Sequence, residues 1–184
     1  MTGLYSLRRL DRSVQLGAVL FLLVLGYGYL FAFFMVKQYA GLTPADVEAT
    51  YVPPQAPGQQ ARSQSQTQPI DLSKLTDEKH TVNVQLLIQD SHIHILMFDV
   101  IAALQLVIVL GLEWRAWWRN SVITAAFAAG ALDFSGQWLM KFGAGGFAYL
   151  TIAAGWLMTA VYVVVLAGTL WAVFGRGAPQ GRHA

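Results

Sequence analysis

The chain has 184 residues, of which 55% are hydrophobic and 12% are charged, and its formal net charge is +2. Soluble domains carry about 25% charged residues, and the apolar residues here stand in long uninterrupted runs, so the composition predicts an integral membrane protein and excludes a single soluble core. The absence of cysteine excludes disulfides, iron–sulfur clusters and covalently attached c-type haem, and the scattered basic residues argue against nucleic-acid binding.

The first predicted span follows a basic N-terminal segment, residues 1–13, and covers the uncharged run 14–36. This run is longer than the roughly 7–15 apolar residues of a signal-peptide core, and the residues after it lack the small-residue pattern of a cleavage site. We therefore predict an uncleaved transmembrane helix. Its second half is rich in aromatic residues, which suits a membrane interface or packing against a partner.

The polar segment 37–91 is predicted as a long extracytoplasmic loop. Within it, Thr43 followed by Pro44 predicts the start of a short helix, because threonine is a favoured N-cap and proline a favoured first residue. The glutamine- and serine-rich run 59–68 has too few apolar groups to fold alone and predicts a flexible linker. From Thr81 the pattern becomes apolar and helical, which predicts a helix that lies on the surface or leads directly into the second span.

Three further apolar runs predict transmembrane helices at 92–112, 120–140 and 147–174. The connection 113–119 mixes tryptophan with arginine, which is typical of a membrane interface. Alanine and glycine form one face of the helix at 120–140 and permit close helix approach. The turn 141–146 is short and glycine-rich, so the last two helices are predicted to be antiparallel neighbours. The tail 175–184 is short and polar.

The distribution of arginine near the span ends predicts that both termini are cytoplasmic. The predicted fold is therefore an all-α membrane protein with four transmembrane helices in an antiparallel bundle and a long extracytoplasmic loop between the first two. The predicted location is the bacterial inner membrane, with the loop on the periplasmic side.

Two of the four histidines, His92 and His94, stand where the polar loop meets the second span. Helical residues two apart point about 200° from each other, so both bind one ion only if the helix begins after them or is locally unwound. Asp90 and His94 have the i, i+4 spacing of helix neighbours. The sequence predicts His92 and His94 as ligands of haem b, or His80, His92, His94 and Asp99 as ligands of copper or zinc. The alternative is that the histidines are interfacial hydrogen-bonding groups and that there is no cofactor.

Asp99 and Asp133 are carboxylates inside predicted spans. A carboxylate at the centre of a span costs about 2.5–3.5 kcal/mol on insertion scales and normally faces the protein interior. Counting from the predicted span ends places both at a similar depth, so a buried carboxylate pair that holds a proton or a cation is predicted. Gln137 and Lys141 follow Asp133 one turn apart and form a polar stripe; an ion pair of Asp133 with Lys141 is the alternative.

The leading functional hypothesis is a subunit of a respiratory or electron-transport assembly, which binds haem b or a metal ion near the periplasmic face and meets a periplasmic electron carrier. The alternative is an accessory or assembly subunit without its own cofactor, whose partners are the lipid bilayer and other membrane proteins. A proton-linked transporter is less consistent with the absence of inverted repeats and broken helices. The sequence shows no hydrolase motif and no phosphate-binding loop, so it assigns no catalytic residue.

The arginine-rich start, the first span, Leu42-Thr43-Pro44 and the His92-x-His94 motif together resemble an uncharacterised bacterial family of small four-span inner-membrane proteins. The resemblance covers most of the chain. It implies the four-span topology and a site at the outer-face histidines, and it implies no ligand. The sequence departs from the family pattern at Asp99, where an apolar residue is expected.

Overall fold

The computed structural model describes residues 5–52 and 82–175, and all of the regular structure within them is helical. The α-helices are α1 (Arg12–Tyr39), α2 (Pro44–Tyr51), α3 (Val84–Leu110), α4 (Ala116–Phe142) and α5 (Ala148–Phe174), with short 3-10 turns at Leu7–Arg9 and Gly145–Phe147. The all-helical fold predicted from the sequence is confirmed for these residues. The predicted linker 59–68 and His80 lie outside the described residues.

Three helices in the described part of the chain are long and apolar enough to cross a membrane: α1, α3 and the helix over Gly145–Phe174. The remaining long helix, α4, has 27 residues, as α3 and α5 have. It is less apolar because it carries Asp133, Gln137 and Lys141. It packs against both α3 and α5.

Two helix starts follow from side-chain caps. The Thr43 side chain accepts a hydrogen bond from the Asp46 amide at 3.2 Å and Pro44 is the first helical residue, as predicted for α2. Asn83 caps α3 by accepting a hydrogen bond from the Leu86 amide at 2.7 Å. Because of this cap, α3 begins at Val84 and not at residue 92, and the helical pattern after residue 81 leads directly into the apolar span.

Contacts at one end of the bundle show that α4 is antiparallel to both neighbours. Trp138 Nε1 donates to Ser91 Oγ at 2.9 Å, which ties the end of α4 to the start of α3. Gly136 lies against Thr151 near the start of α5, and its missing Cβ leaves room for this approach. This end also carries α2, and we call it the α2 end of the bundle.

The first half of α1 packs along α5. Val19 and Leu22 are its buried residues, and Tyr162 Oη donates to the Leu22 carbonyl at 3.1 Å. The tyrosine hydroxyl occupies the space that a side chain at Gly26 would need. The aromatic second half of α1, residues 31–39, is exposed.

The main apolar core lies toward the end of the bundle opposite α2. Its buried residues are Leu7, Leu22, Ile108, Val109, Leu112, Val122, Val161 and Val165. The N-terminal segment closes this end, because the Leu7 amide donates to the Gly111 carbonyl at 2.8 Å and Ser6 Oγ donates to Glu113 Oε1 at 2.7 Å. The α2 end has a smaller apolar core, made of Val47, Met140 and Ala148. Polar side chains also lie at this end.

Candidate functional site

Polar side chains from three helices gather at the α2 end of the bundle. We call Tyr51, Asp90, His94, Asp133 and Gln137 the polar cluster. Asp90 and His94 are close enough to Asp133 to act on its charge, and the charges of Asp133 and Asp90 act on Tyr51. Gln137 joins the cluster through its hydrogen bond to Asp133. The cluster therefore links α2, α3 and α4.

The helical repeat builds both halves of the cluster, because residues four apart are neighbours on one helix face. On α3, His94 Nδ1 lies 3.1 Å from Asp90 Oδ1. On α4, Gln137 Nε2 donates to Asp133 Oδ2 at 3.1 Å. The side chains of His94 and Asp90 are 49% and 44% exposed, so their ion pair, which requires a protonated histidine, contributes no more than about 1 kcal/mol.

The α4 half of the cluster is buried and incompletely hydrogen-bonded. Gln137 is 7% exposed, and its Oε1 atom has no hydrogen-bond partner within the described residues. Its amide nitrogen faces Asp133, so its carbonyl oxygen is directed elsewhere as a free acceptor. Leaving such an acceptor buried and unpaired costs about 1–3 kcal/mol. Gln137 Oε1 is therefore an unpaired acceptor among the described residues.

Tyr51, the last residue of α2, covers the cluster. Burial, reinforced by the negative charges of Asp133 and Asp90, raises the pKa of Tyr51 to about 12. Its hydroxyl therefore stays protonated at neutral pH and is able to donate a hydrogen bond. The helix is held in place by Val47, which is 4% exposed and packs with Met140 and Ala148.

Aromatic rings close the cluster toward the interior of the bundle. The rings of Phe98 and Phe134 lie 5.7 Å apart, and the ring of His94 meets Phe98 edge-on at 6.2 Å. Phe98 also rests against Gly130, which lets α3 and α4 approach. The polar cluster is therefore open toward the α2 end and is bordered by aromatic rings on the side that faces the interior of the bundle.

His92 and Asp99 lie on the other side of α3. We call this side the exposed stripe; its exposed residues, three and four apart, are Gln85, Gln89, His92, Leu96, Asp99 and Ala103. Because α3 is a continuous helix through both histidines, His92 and His94 point about 200° apart. The structure does not bring these two residues together.

The other members of the predicted metal site are also separate. Asp99 belongs to the exposed stripe, and His80 lies outside the described residues. Within residues 5–52 and 82–175, no group of three or more His, Cys, Asp or Glu side chains could hold a metal ion. Helices α1, α4 and α5 contain no histidine that could complete a two-histidine haem site. The described residues alone do not fit a haem or a transition-metal site.

Asp99 and Asp133 are not brought together either. At about 1.5 Å per residue, Asp99 lies about 16 Å from the end of α3 at Leu110, whereas Asp133 lies about 26 Å from the start of α4 at Ala116. The similar depths expected from the sequence assumed a span that starts at residue 92, and the earlier start of α3 changes the register. As a result Asp90 and His94, and not Asp99, are the groups of α3 whose charges act on Asp133. Lys141 donates to the Val82 carbonyl at 2.5 Å.

Comparison with known protein families gives a match over most of the chain. The model of the Aq_1264_TM family, described as a transmembrane helical domain, matches residues 41–180. The matched range begins after α1 and includes α2 to α5, so it contains both the polar cluster and the exposed stripe. No curated protein and no solved structure matches the chain.

Proposed function

We propose that this chain, which belongs to the Aq_1264_TM family of transmembrane helical domains, is an accessory subunit of a larger membrane complex. A helix of a different subunit packs on the exposed stripe of α3. In this proposal α4 is the fourth span, both termini are cytoplasmic, and the α2 end faces the periplasm of a bacterial inner membrane.

The arrangement of charges supports this topology. Arg8, Arg9, Arg12, Arg115 and Arg119 all lie at the end of the bundle opposite α2, and short loops rich in arginine normally stay in the cytoplasm. Two polar groups of α4 support its place in the membrane, because Gln137 is buried and Trp138 Nε1 donates to Ser91 on α3.

The observation that carries the proposal is the exposure of Asp99. It lies about 16 Å from one end of α3, near the middle of a hydrocarbon core about 30 Å thick. Carboxylates at that depth cost about 2.5–3.5 kcal/mol and face protein or water-filled space. Here Asp99 faces away from α4 and α5, so a further helix is needed to cover it.

The spacing of the exposed stripe fits a helix as the covering element. Its residues recur three and four apart, which is the repeat of helices that pack along their length. Ala103 supplies a small residue for close approach, and Leu96, which is 58% exposed, supplies apolar surface. Gln85, Gln89 and His92 continue the stripe toward the α2 end.

A different subunit fits this stripe better than a second copy of the chain. In a two-fold parallel dimer built on the stripe, residues near the axis meet their own counterparts, so Asp99 would meet Asp99. Two carboxylates side by side disfavour each other's ionisation. A partner helix with a basic or hydrogen-bond-donating side chain opposite Asp99 satisfies the charge instead.

A redox role remains the second candidate because of the position of His92. His92 shares the exposed stripe with Asp99, about two turns away, and therefore faces the same partner. A haem b group, or a copper or zinc ion, would then be shared between His92 and ligands of the partner. This version of the function would place the complex in electron transport, with a periplasmic electron carrier on the α2 side.

Site-specific photo-crosslinking in intact membranes tests the proposed partner. A photoreactive amino acid replaces Leu96 on the exposed stripe or, as the control, Val163 on α5, which is 52% exposed. We expect a protein adduct of one defined mass at position 96 and lipid adducts at position 163. An adduct with a second copy of the chain, or equal yields of protein adduct at both positions, would contradict the proposal.

A further inference from the structure

A groove runs along one face of α5 at the end of the bundle opposite α2. It has a volume of about 600 Å³, and its lining residues are Ala167, Leu170, Trp171, Phe174 and Gly175. These residues recur three and four apart, so they share one face of the last turns of the helix. From Ala167 to Gly175 the groove extends about 12 Å along the helix axis. Its walls are apolar, and the rings of Trp171 and Phe174 are 73% and 70% exposed.

Arg8 places a positive charge at the rim of this groove. Its Nε donates to the Ala172 carbonyl at 3.0 Å, and its Nη2 donates to the Trp171 carbonyl at 3.3 Å. The same Nη2 atom lies 3.3 Å from the position that a Cβ would take at Gly175. A guanidinium has five N–H donors. Because Arg8 is exposed, its further donors are available to a ligand at the rim.

The segment that carries Arg8 has an excess of positive charge. Arg9 and Arg12 are both exposed, and neither forms an ion pair or a side-chain hydrogen bond with another described residue. Asp11 is the one acidic residue between positions 5 and 14. Three arginines therefore stand against one carboxylate in the segment beside the groove, which favours an anionic ligand.

We propose that this groove holds one anionic phospholipid of the surrounding bilayer, with the phosphate at Arg8 and an acyl chain along α5. The helix over Gly145–Phe174 is long and apolar enough to cross a membrane, so an open groove on it faces lipid. Trp171 lies in its last turn, where tryptophan marks the level of the headgroups. Arginine at such a level attracts anionic headgroups and binds phosphate oxygens with charge-assisted hydrogen bonds.

The combination of charge and apolar surface decides the class of ligand. A soluble phosphate would use Arg8 and leave the apolar groove empty. A zwitterionic lipid would fill the groove and leave the excess positive charge uncompensated. An anionic phospholipid satisfies both parts of the site.

Lipid retention by the purified full-length protein in an uncharged detergent, measured by native mass spectrometry, tests the proposal. The probe is dioleoylphosphatidylglycerol. Dioleoylphosphatidylcholine, which has the same acyl chains and no net charge, is the comparison lipid. We expect one phosphatidylglycerol per chain at lipid concentrations at which phosphatidylcholine is not retained.

Variants separate the two parts of the site, and Arg8 is kept because it also bonds to α5. Arg9→Gln and Arg12→Gln should each weaken phosphatidylglycerol binding about fivefold, since each removes one positive charge beside the groove. Ala167→Phe fills the groove without a change of charge and should weaken binding at least as much. Lys37→Gln is the matched control, because it removes an exposed positive charge from the other end of α1, and it should bind as the wild type does.

Thermal unfolding provides the second readout, because a ligand of the folded state raises its stability. Without lipid, all variants should unfold like the wild type, since they change exposed side chains. Phosphatidylglycerol should raise the Tm of the wild type and of Lys37→Gln more than that of Ala167→Phe.

Equal retention of the two lipids, or an equal loss of binding in Lys37→Gln and Arg9→Gln, would overturn the proposal. Unchanged binding by Ala167→Phe would also overturn it. Displacement of the lipid by glycerol phosphate would do the same and would identify a soluble phosphate as the ligand. None of these outcomes depends on the partner at Asp99.

Discussion

The close contact between α4 and α5 makes a quantitative prediction about Gly136. A Cβ at this position would clash with Thr151 Oγ1 and lie 3.0 Å from the Thr151 backbone nitrogen. Rotation of the threonine side chain relieves the first contact, but only a shift of a helix relieves the second. Overpacking of this kind costs about 1–3 kcal/mol.

Gly155 on α5 is the matched control for Gly136. No atom lies within 4 Å of a Cβ built at Gly155. Alanine in place of glycine in a helix interior gains up to about 1 kcal/mol at either position. The difference in unfolding free energy between Gly136→Ala and Gly155→Ala is therefore the packing cost alone, about 1–3 kcal/mol in favour of Gly155→Ala.

Unfolding by a denaturing detergent, followed by helical circular dichroism, measures both variants against the wild type. We expect Gly155→Ala to unfold at the same or a higher detergent fraction than the wild type. Gly136→Ala should unfold earlier than Gly155→Ala. Equal unfolding of the two variants would refute the proposed close packing of α4 and α5 beside the polar cluster.

Three further predictions concern single contacts. Thr43→Ala removes the cap of α2 and should destabilise that helix by about 0.5–2 kcal/mol. Proteolysis between α1 and α2 should become faster, while the rate of cleavage at the chain ends should stay unchanged. Tyr162→Phe removes the hydrogen bond to Leu22 and should cost about 0.5–1.5 kcal/mol in detergent unfolding; no change would contradict the α1–α5 packing. Because the folded-state pKa of Tyr51 is about 12 against 10.0 for a free tyrosine, its share of the stability is complete below pH 10 and is lost as pH rises toward 12. Tyr51→Phe should make the alkaline fall in Tm smaller, and an identical fall would contradict the burial of the hydroxyl.

Most of the helical architecture was predictable, since long apolar runs can only be helices in a bilayer. The N-cap at Thr43 was predictable from a local pattern. The helical pattern after Thr81 was also predictable, but the sequence left open whether that helix lies on the surface or leads directly into the second span. The structure shows one continuous helix from Val84, in which Ser91 is buried and bonded to Trp138.

The sequence also did not predict which face of α3 packs against the other helices. Apolar residues occur on both sides of this helix, as in membrane spans that contact lipid on one side and protein on the other. A general rule predicted that Asp99 faces the interior of the bundle. In the structure, α3 packs against α4 and α5 with a different face, and Asp99 is exposed. The sequence identified Asp133 as a candidate and paired Asp90 with His94 by spacing, but the action of that pair on Asp133 emerged only from the register of α3 and α4.

No pattern in the sequence identified Tyr51 as a candidate site residue. It reaches the polar cluster because Val47 anchors α2 against α4 and α5, and the segment 53–81 separates it from the rest of the cluster along the chain. Spacing rules relate residues within one helix and do not reach across such a segment. An unpaired amide such as that of Gln137 is likewise visible only once its surroundings are known.

The mass of the assembly extracted from native membranes in mild detergent tests the central claim most directly. The chain alone has a mass of 20.2 kDa. We predict that the wild type leaves the membrane in a larger complex with a different protein. The Asp99→Leu variant should leave the membrane as a folded single chain. Leucine is stable in contact with lipid, and the substitution removes the negative charge that pairs with the partner's side chain. A wild type that leaves alone, or an Asp99→Leu variant that keeps the complex, would contradict the account.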